Sequence, residues 1–184
     1  MKYSSEEKSV LRNIAMESIR HGITTGQPAS PSLTEIPPAL LEPRACFVTL
    51  MKQGELRGCI GSLEPSQSLI LDLAKNAFQS AFHDPRFSPV TEDELKHLEI
   101  KISVLSLPEP FPVKNENDLL EQIRPFKDGL ILEEGRKRGT FLPAVWESLP
   151  NPKDFLLHLK RKAGFPDDYW SDHITVRRYT SEEF

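Results

Sequence analysis

Residues 45–61 constrain the fold of this chain more than any other stretch, because two short strand-like runs flank a four-residue turn in the pattern of a β-hairpin. Ala45 to Met51 is the apolar first arm, Lys52-Gln53-Gly54-Glu55 reads as the turn, and Leu56-Arg57-Gly58-Cys59-Ile60-Gly61 returns. Side chains alternate along a strand, so register decides which residues share a face. Pairing Met51 with Leu56 puts Cys46, Val48, Leu50, Arg57, Cys59 and Gly61 on one face and Phe47, Thr49, Gly58 and Ile60 on the other. On this register Arg57 and Cys59 are same-face neighbours.

A guanidinium beside a thiol stabilises the thiolate, and flanking glycines let a ligand or another backbone come close. The functional reading is therefore a reactive Cys59 tuned by Arg57, with Gly58 and Gly61 leaving room for a ligand. Against it stands inert packing, since cysteine is among the residues most often buried.

A second constellation follows the hairpin. Pro65-Ser66 opens a helix on which Leu69, Ile70, Leu73, Ala74, Ala77, Phe78 and Ala81 recur at helical spacing, and Pro85 stops it just after His83-Asp84. His83 is a candidate base for Cys59, Asp84 could orient it, and Arg86 could position a small anionic substrate. The alternative is an Asp84–Arg86 pair that merely holds the loop. The helix start, the cysteine strand and the Asp84 to Phe87 loop are expected to border one pocket, with the helix dipole adding to a positive environment around Arg57, Cys59 and Arg86.

Composition bounds the rest. With 184 residues and a formal net charge of −4, the chain suits a single domain with room for two lobes and presents no general basic field, so nucleic-acid binding is disfavoured. Arg136-Lys137-Arg138, a basic tripeptide at the tip of the second hairpin, reads as a solvated turn. Cys46 and Cys59 fall short of a zinc framework, no C-x-x-C is present for an iron–sulfur cluster, and no cofactor or metal is implied. In the register above the two thiols are diagonal neighbours, about 7 Å apart at Cβ, and are expected to stay free. The N-terminus lacks the apolar core of a signal peptide and no run approaches a membrane span, so the expected location is cytoplasmic.

Elsewhere, Ser4 with Glu7 is a capping box opening a helix with Val10, Leu11, Ile14, Ala15 and Ile19 on one face, ending near His21-Gly22. The proline-rich stretch from Thr24 to Pro43 reads as an extended connector pinned by Leu33, Ile36, Leu40 and Leu41. Leu98 to Leu105 alternates as a strand, Leu119 to Ile123 suggests a short helix, and Gly129 to Glu133 pairs with Gly139 to Leu142. Asn151-Pro152 starts a last helix stopped by Gly164, and Ile174 to Tyr179 is a final strand. Strands and helices interleave without regular βαβ alternation, which predicts an α+β fold with a mixed or mainly antiparallel sheet flanked by helices.

The run Leu56 to Gly61, reading L-R-G-C-I-G, resembles the signature of the AMMECR family, whose bacterial members are also called AmmeMemoRadiSam system protein A. Asp84, Arg86 and Phe87 match a second block, and Gly139 to Pro143, Val145 to Glu147, Phe155-Leu156, Lys160 to Gly164 and Tyr169-Trp170 extend the resemblance over nearly the whole chain. Ala144 stands where many relatives outside the bacterial branch carry glutamine, so no role of that glutamine carries over. The resemblance implies a larger lobe built from both chain ends with a smaller lobe inserted. It also implies association with a Memo-type protein and a radical S-adenosylmethionine enzyme, the latter holding the iron–sulfur cluster. Two functions follow as expectations: a Cys59-dependent enzyme acting on a small anionic substrate, or a non-enzymatic adaptor for a protein partner or nucleic acid, with Cys59 structural.

Overall fold

The computed structural model describes residues 3–34 and 36–184. The chain divides into two compact units, Met1–Leu105 with Glu182–Phe184, and Ser106–Ser181, so the second is inserted between the two parts of the first.

The first unit opens with α1 (Ser5–Thr25), whose capping box forms as the sequence predicts: Ser4 Oγ accepts from Glu7 N at 3.2 Å and the Glu7 carboxylate accepts from Ser4 N at 2.7 Å. The helix runs a turn past Gly22 to a left-handed Gly26. Gly22 does not stop it, because that glycine serves packing: the Phe78 and Phe82 rings fill the space a Cβ would need. In the connector, Leu40 is fully buried on the short helix α2 (Pro38–Leu41), whereas the expected anchors Leu33 and Leu41 are exposed.

Four strands form the first unit's sheet in the order β2-β1-β3-β8: β1 (Cys46–Lys52), β2 (Glu55–Gly61), β3 (Leu98–Leu105) and β8 (Ser181–Glu183). β1 runs antiparallel to both β2 and β3. The hairpin turn places Gln53 and Gly54 at positive φ, the backbone that suits the right-handed twist of its arms. Cys46, Val48, Leu50, Ile102 and Val104 turn to one side, where α1 and α3 (Leu69–Phe82) cover them with Leu11, Ile19, Leu69, Leu73 and Ala77. α3 begins at Leu69 rather than at Pro65-Ser66, because Ser68 pairs with Pro43 and Leu69 N donates to Glu42 O, tying residues 65–68 to the connector.

The second unit has its own sheet in the order β4-β7-β5-β6: β4 (Glu109–Pro110), β5 (Gly129–Glu134), β6 (Lys137–Phe141) and β7 (Thr175–Tyr179). β5 runs antiparallel to β6 and β7, and β4 to β7. With α4 (Glu116–Gln122) and α5 (Pro152–Ala163) it buries Trp146, which stacks on Phe155 at 3.8 Å and donates its indole N–H to Asp128 O at 2.7 Å. The α+β architecture and the antiparallel sheets flanked by helices are those the residue pattern predicts. Among the described residues no helix is long and apolar enough to cross a membrane.

Candidate functional site

Met51 does pair with Leu56, but the register slips by one residue immediately afterwards, so that Leu50 faces Gly58 and Thr49 faces Cys59. This β-bulge corrects the expected faces. Cys59 lies with Phe47, Thr49 and Met51 on the side away from the helices, and Cys46 lies on the core side. The physical reason is Gly58: the backbone carbonyl of Ser80 in α3 occupies the place of a side chain there, so only glycine can face the helix. Both cysteines are free thiols, now because they point to opposite faces.

Arg57 gives its ion pair to Glu94 rather than to the thiol it was expected to tune. Its Nε and Nη2 donate to the two Glu94 carboxylate oxygens, each at 3.0 Å, and Lys52 Nζ reaches the same carboxylate at 2.7 Å. Glu94 caps a 3-10 helix (Glu92–His97) by accepting from Thr91 N. Arg57 is thereby absorbed into a network that ties β1, β2 and this helix together, and its Nη1 is buried without a hydrogen-bond partner.

Around Cys59 the structure gathers Thr49, Asp84 and Arg86. The thiol sulfur lies 3.2 Å from Thr49 Oγ1. The Cys59 backbone N–H donates to Asp84 Oδ2 at 2.8 Å, and Arg86 Nη2 reaches the Cys59 carbonyl at 3.4 Å. Arg86 in turn forks onto Asp84, Nε to Oδ1 at 2.9 Å and Nη2 to Oδ2 at 2.7 Å. Asp84 and Arg86 thus reach Cys59 through its peptide, and Asp84 has no hydrogen bond to His83. The His83 ring lies against Phe78, 5.3 Å between centroids, on the side of α3 where Phe78 meets Gly22 of α1. The chain therefore does not assemble Cys59, His83 and Asp84 into a triad. Gly61 is filled as well, its side-chain space taken by the Phe47 ring across the strand pair, so neither glycine is left open for a ligand.

The start of α3 does not join this group either. It lies against Cys46, where Asp72 Oδ2 accepts from Cys46 N at 3.0 Å, while the far end of the helix delivers Asp84 to Cys59. Between them, Asn76 Nδ2 donates to Cys46 O at 3.0 Å, and Ser80 Oγ bridges the strands by accepting from Ile60 N at 2.9 Å and donating to Val48 O at 2.8 Å. Asp72, Asn76 and Ser80 of α3, with Asp84 two residues past its end, thus form a line of polar groups at four-residue spacing that stitches the helix and its exit to the backbone of the hairpin. Attention to the apolar stripe missed this line and missed Thr49. The recurring D-x3-N-x3-S-x3-D was its signal, since i, i+4 positions share a helix face.

Burial pushes the Cys46 thiol well up, with the neighbouring Asp72 charge adding to it, so Cys46 is a poor nucleophile. The Arg86 hydrogen bonds hold Asp84 well below the usual carboxylate range in spite of desolvation, and Arg57, helped by Lys52 and Thr91 N, does the same for Glu94. A carboxylate depressed in the folded state contributes stability that is complete above its unfolded value, about 4, and is lost as pH falls toward the folded value. Urea midpoints measured from pH 6 down to 3 should therefore fall below about pH 4, and the fall should be shallower in Asp84→Asn and Glu94→Gln. Equal slopes in parent and variants would contradict these assignments. Among the described residues no cluster of three or more His, Cys, Asp or Glu side chains is placed to hold a metal ion.

The sequence and the fold both have relatives. A protein of Methanothermobacter thermautotrophicus is 40% identical over 156 residues, covering 82% of this chain and 79% of its own. One of Thermotoga maritima is 36% identical over 173 residues, covering 92% and 94%. The crystal structure of uncharacterized protein PH0010 from Pyrococcus horikoshii superposes with a TM-score of 0.83 at 34% identity, over 100% of this chain and 93% of that one. The AMMECR1 family pattern matches residues 12–184, a span that includes the Cys59 strand, the Asp84–Arg86 loop and the inserted unit, and the chain belongs to the AMMECR1 family.

Proposed function

We propose that this protein is a cysteine-dependent enzyme that presents the Cys59 thiol to a small anionic substrate, acting as the A component beside a Memo-type protein and a radical S-adenosylmethionine enzyme. One observation carries the reading: Cys59 is half-buried on the sheet face away from the helices, with the Thr49 hydroxyl 3.2 Å from its sulfur and the Arg86 guanidinium anchored to its own carbonyl. The side chain of Arg86 is 54% exposed, and Nη1 makes no hydrogen bond, so it can meet an incoming carboxylate or phosphate while Nε and Nη2 stay on Asp84. Thr49 can donate its hydroxyl hydrogen to a thiolate.

Alkylation by a neutral and an anionic reagent tests this directly. Cys59 should react with iodoacetamide in the folded protein while Cys46 stays protected, read by mass spectrometry of the two peptides. Iodoacetate should gain relative to iodoacetamide, compared with a free thiol, and Arg86→Gln should remove about fivefold of that gain, as an exposed charge worth about 1 kcal/mol would supply. A Cys59 that reacts only on unfolding would sink the enzyme reading. It would leave the adaptor reading, which the exposed Leu56 and Leu63 on either side of Cys59 favour.

A further inference from the structure

We infer that Asp84 and Arg86 together replace the strand that β2 lacks on its outer side, and that they are the positioning residues of Cys59. β2 ends the sheet, so one of its long sides has no neighbouring strand. An open side presents backbone N–H and C=O groups to solvent and invites pairing with another chain. At Cys59 both groups are taken. Asp84 Oδ2 accepts the N–H at 2.8 Å, Arg86 Nη2 donates toward the C=O at 3.4 Å, and the same Nη2 and Oδ2 are joined at 2.7 Å. One acceptor and one donor, held side by side, are what a residue of a neighbouring strand would offer.

The plug is rigid for reasons that lie on both sides of it. Asp84 is buried, its side chain only 2% exposed, so the bond to the Cys59 N–H is shielded from water. Its second oxygen accepts from Arg86 N at 3.1 Å, and Phe87 N donates to Asp84 O at 3.1 Å, which folds residues 84–87 into a tight turn. The Phe87 ring then lies 5.4 Å from the Arg86 guanidinium. Upstream, α3 is held against Gly58 through the Ser80 carbonyl, one residue before Cys59. The cysteine peptide is therefore fixed from the helix side and from the edge side at once. For the thiol reading proposed above, on which this consequence rests, the direction of Sγ and the place of the Arg86 charge are set by one hydrogen-bonded ring.

Amide hydrogen exchange followed by NMR on the full chain tests the plug without reference to thiol chemistry. The Ile102 amide, bonded to Phe184 O at 2.9 Å on the far side of the same sheet, is the internal reference. In Asp84→Ala the Cys59 amide should exchange about a hundredfold faster relative to Ile102, and Asp84→Asn, which keeps one oxygen, should recover at least tenfold of that loss. Arg86→Ala, which leaves the Asp84 bond in place, should speed Cys59 by about three- to tenfold and leave Ile102 unchanged; it decides the matter if Asp84→Ala does not fold. Unchanged Cys59 exchange in these variants, or Cys59 and Ile102 rising together, overturns the plug. Cys59→Ser should keep the protection, so an unreactive thiol and an absent plug are told apart. In Asp84→Ala the iodoacetate preference should fall along with the protection and return in part in Asp84→Asn; a preference that persists would remove the positioning role.

Discussion

Gly58→Ala should destabilise the protein by about 3 kcal/mol or more, the upper end of what overpacking a close contact costs. A Cβ at residue 58 would overlap the Ser80 carbonyl oxygen, a backbone atom inside a helix that cannot swing aside as a side chain could. Relief requires moving α3 away from the hairpin, and the bonds from Asp72 and Asn76 to Cys46, from Ser80 to Val48 and Ile60, and from Asp84 to Cys59 would all lengthen with it. The measurement is the urea midpoint at unchanged m-value, with Cys59 amide exchange as a local readout. A loss below about 1 kcal/mol would show that the helix has slack and that Gly58 does not set the register.

Asp72→Ala should cost about 3–5 kcal/mol, because the carboxylate is nearly fully buried and its removal strands several donors in the core. Its two oxygens accept from Cys46 N at 3.0 Å, Ser62 Oγ at 2.8 Å and Asn76 Nδ2 at 2.9 Å, with a longer contact from Gln67 Nε2 at 3.4 Å. Asp72→Asn should recover little of this. An amide has one oxygen and one NH2 group; with the oxygen kept on Cys46 N and Asn76 Nδ2, the NH2 would face Gln67 Nε2 and a Ser62 hydroxyl that already accepts from Asn76 Nδ2 and would have to turn its own hydrogen elsewhere. If Asp72→Asn were as stable as the parent, the carboxylate would be less committed than these distances indicate. Asp72→Ala has a second consequence, since loss of the neighbouring charge should ease ionisation of the Cys46 thiol, which stays unreactive only while buried.

Much of the fold was legible because its signals are local. The capping box at Ser4 and Glu7, the Asn151-Pro152 start and Gly164 stop of α5, the alternation of β3 and the turn at Gln53-Gly54 each depend on residues within a few positions of one another. The misses are of another kind. Gly22 reads locally as a stop, yet it is a packing surface for Phe78 and Phe82, which come from a helix some sixty positions on. Pro65-Ser66 reads locally as a helix start, yet a bridge to Pro43 delays the helix to Leu69.

The candidate site divides in the same way. The sequence alone singled out the residues of the L-R-G-C-I-G run and the Asp84 to Phe87 loop, because a thiol, glycines and charges in that order are unusual and carry recognisable chemistry. Which of them stand together was decided by tertiary structure. A single extra residue at the bulge turns Cys59 from the core to the outer face, and the cause is a carbonyl oxygen of α3, twenty-two positions away, that leaves no room for a side chain at Gly58. The same helix carries His83 toward α1 and Asp84 toward the cysteine, so adjacent residues part company. Register in a hairpin is a choice between two faces that local propensity leaves nearly equal, and only the body packed against the strand breaks that tie.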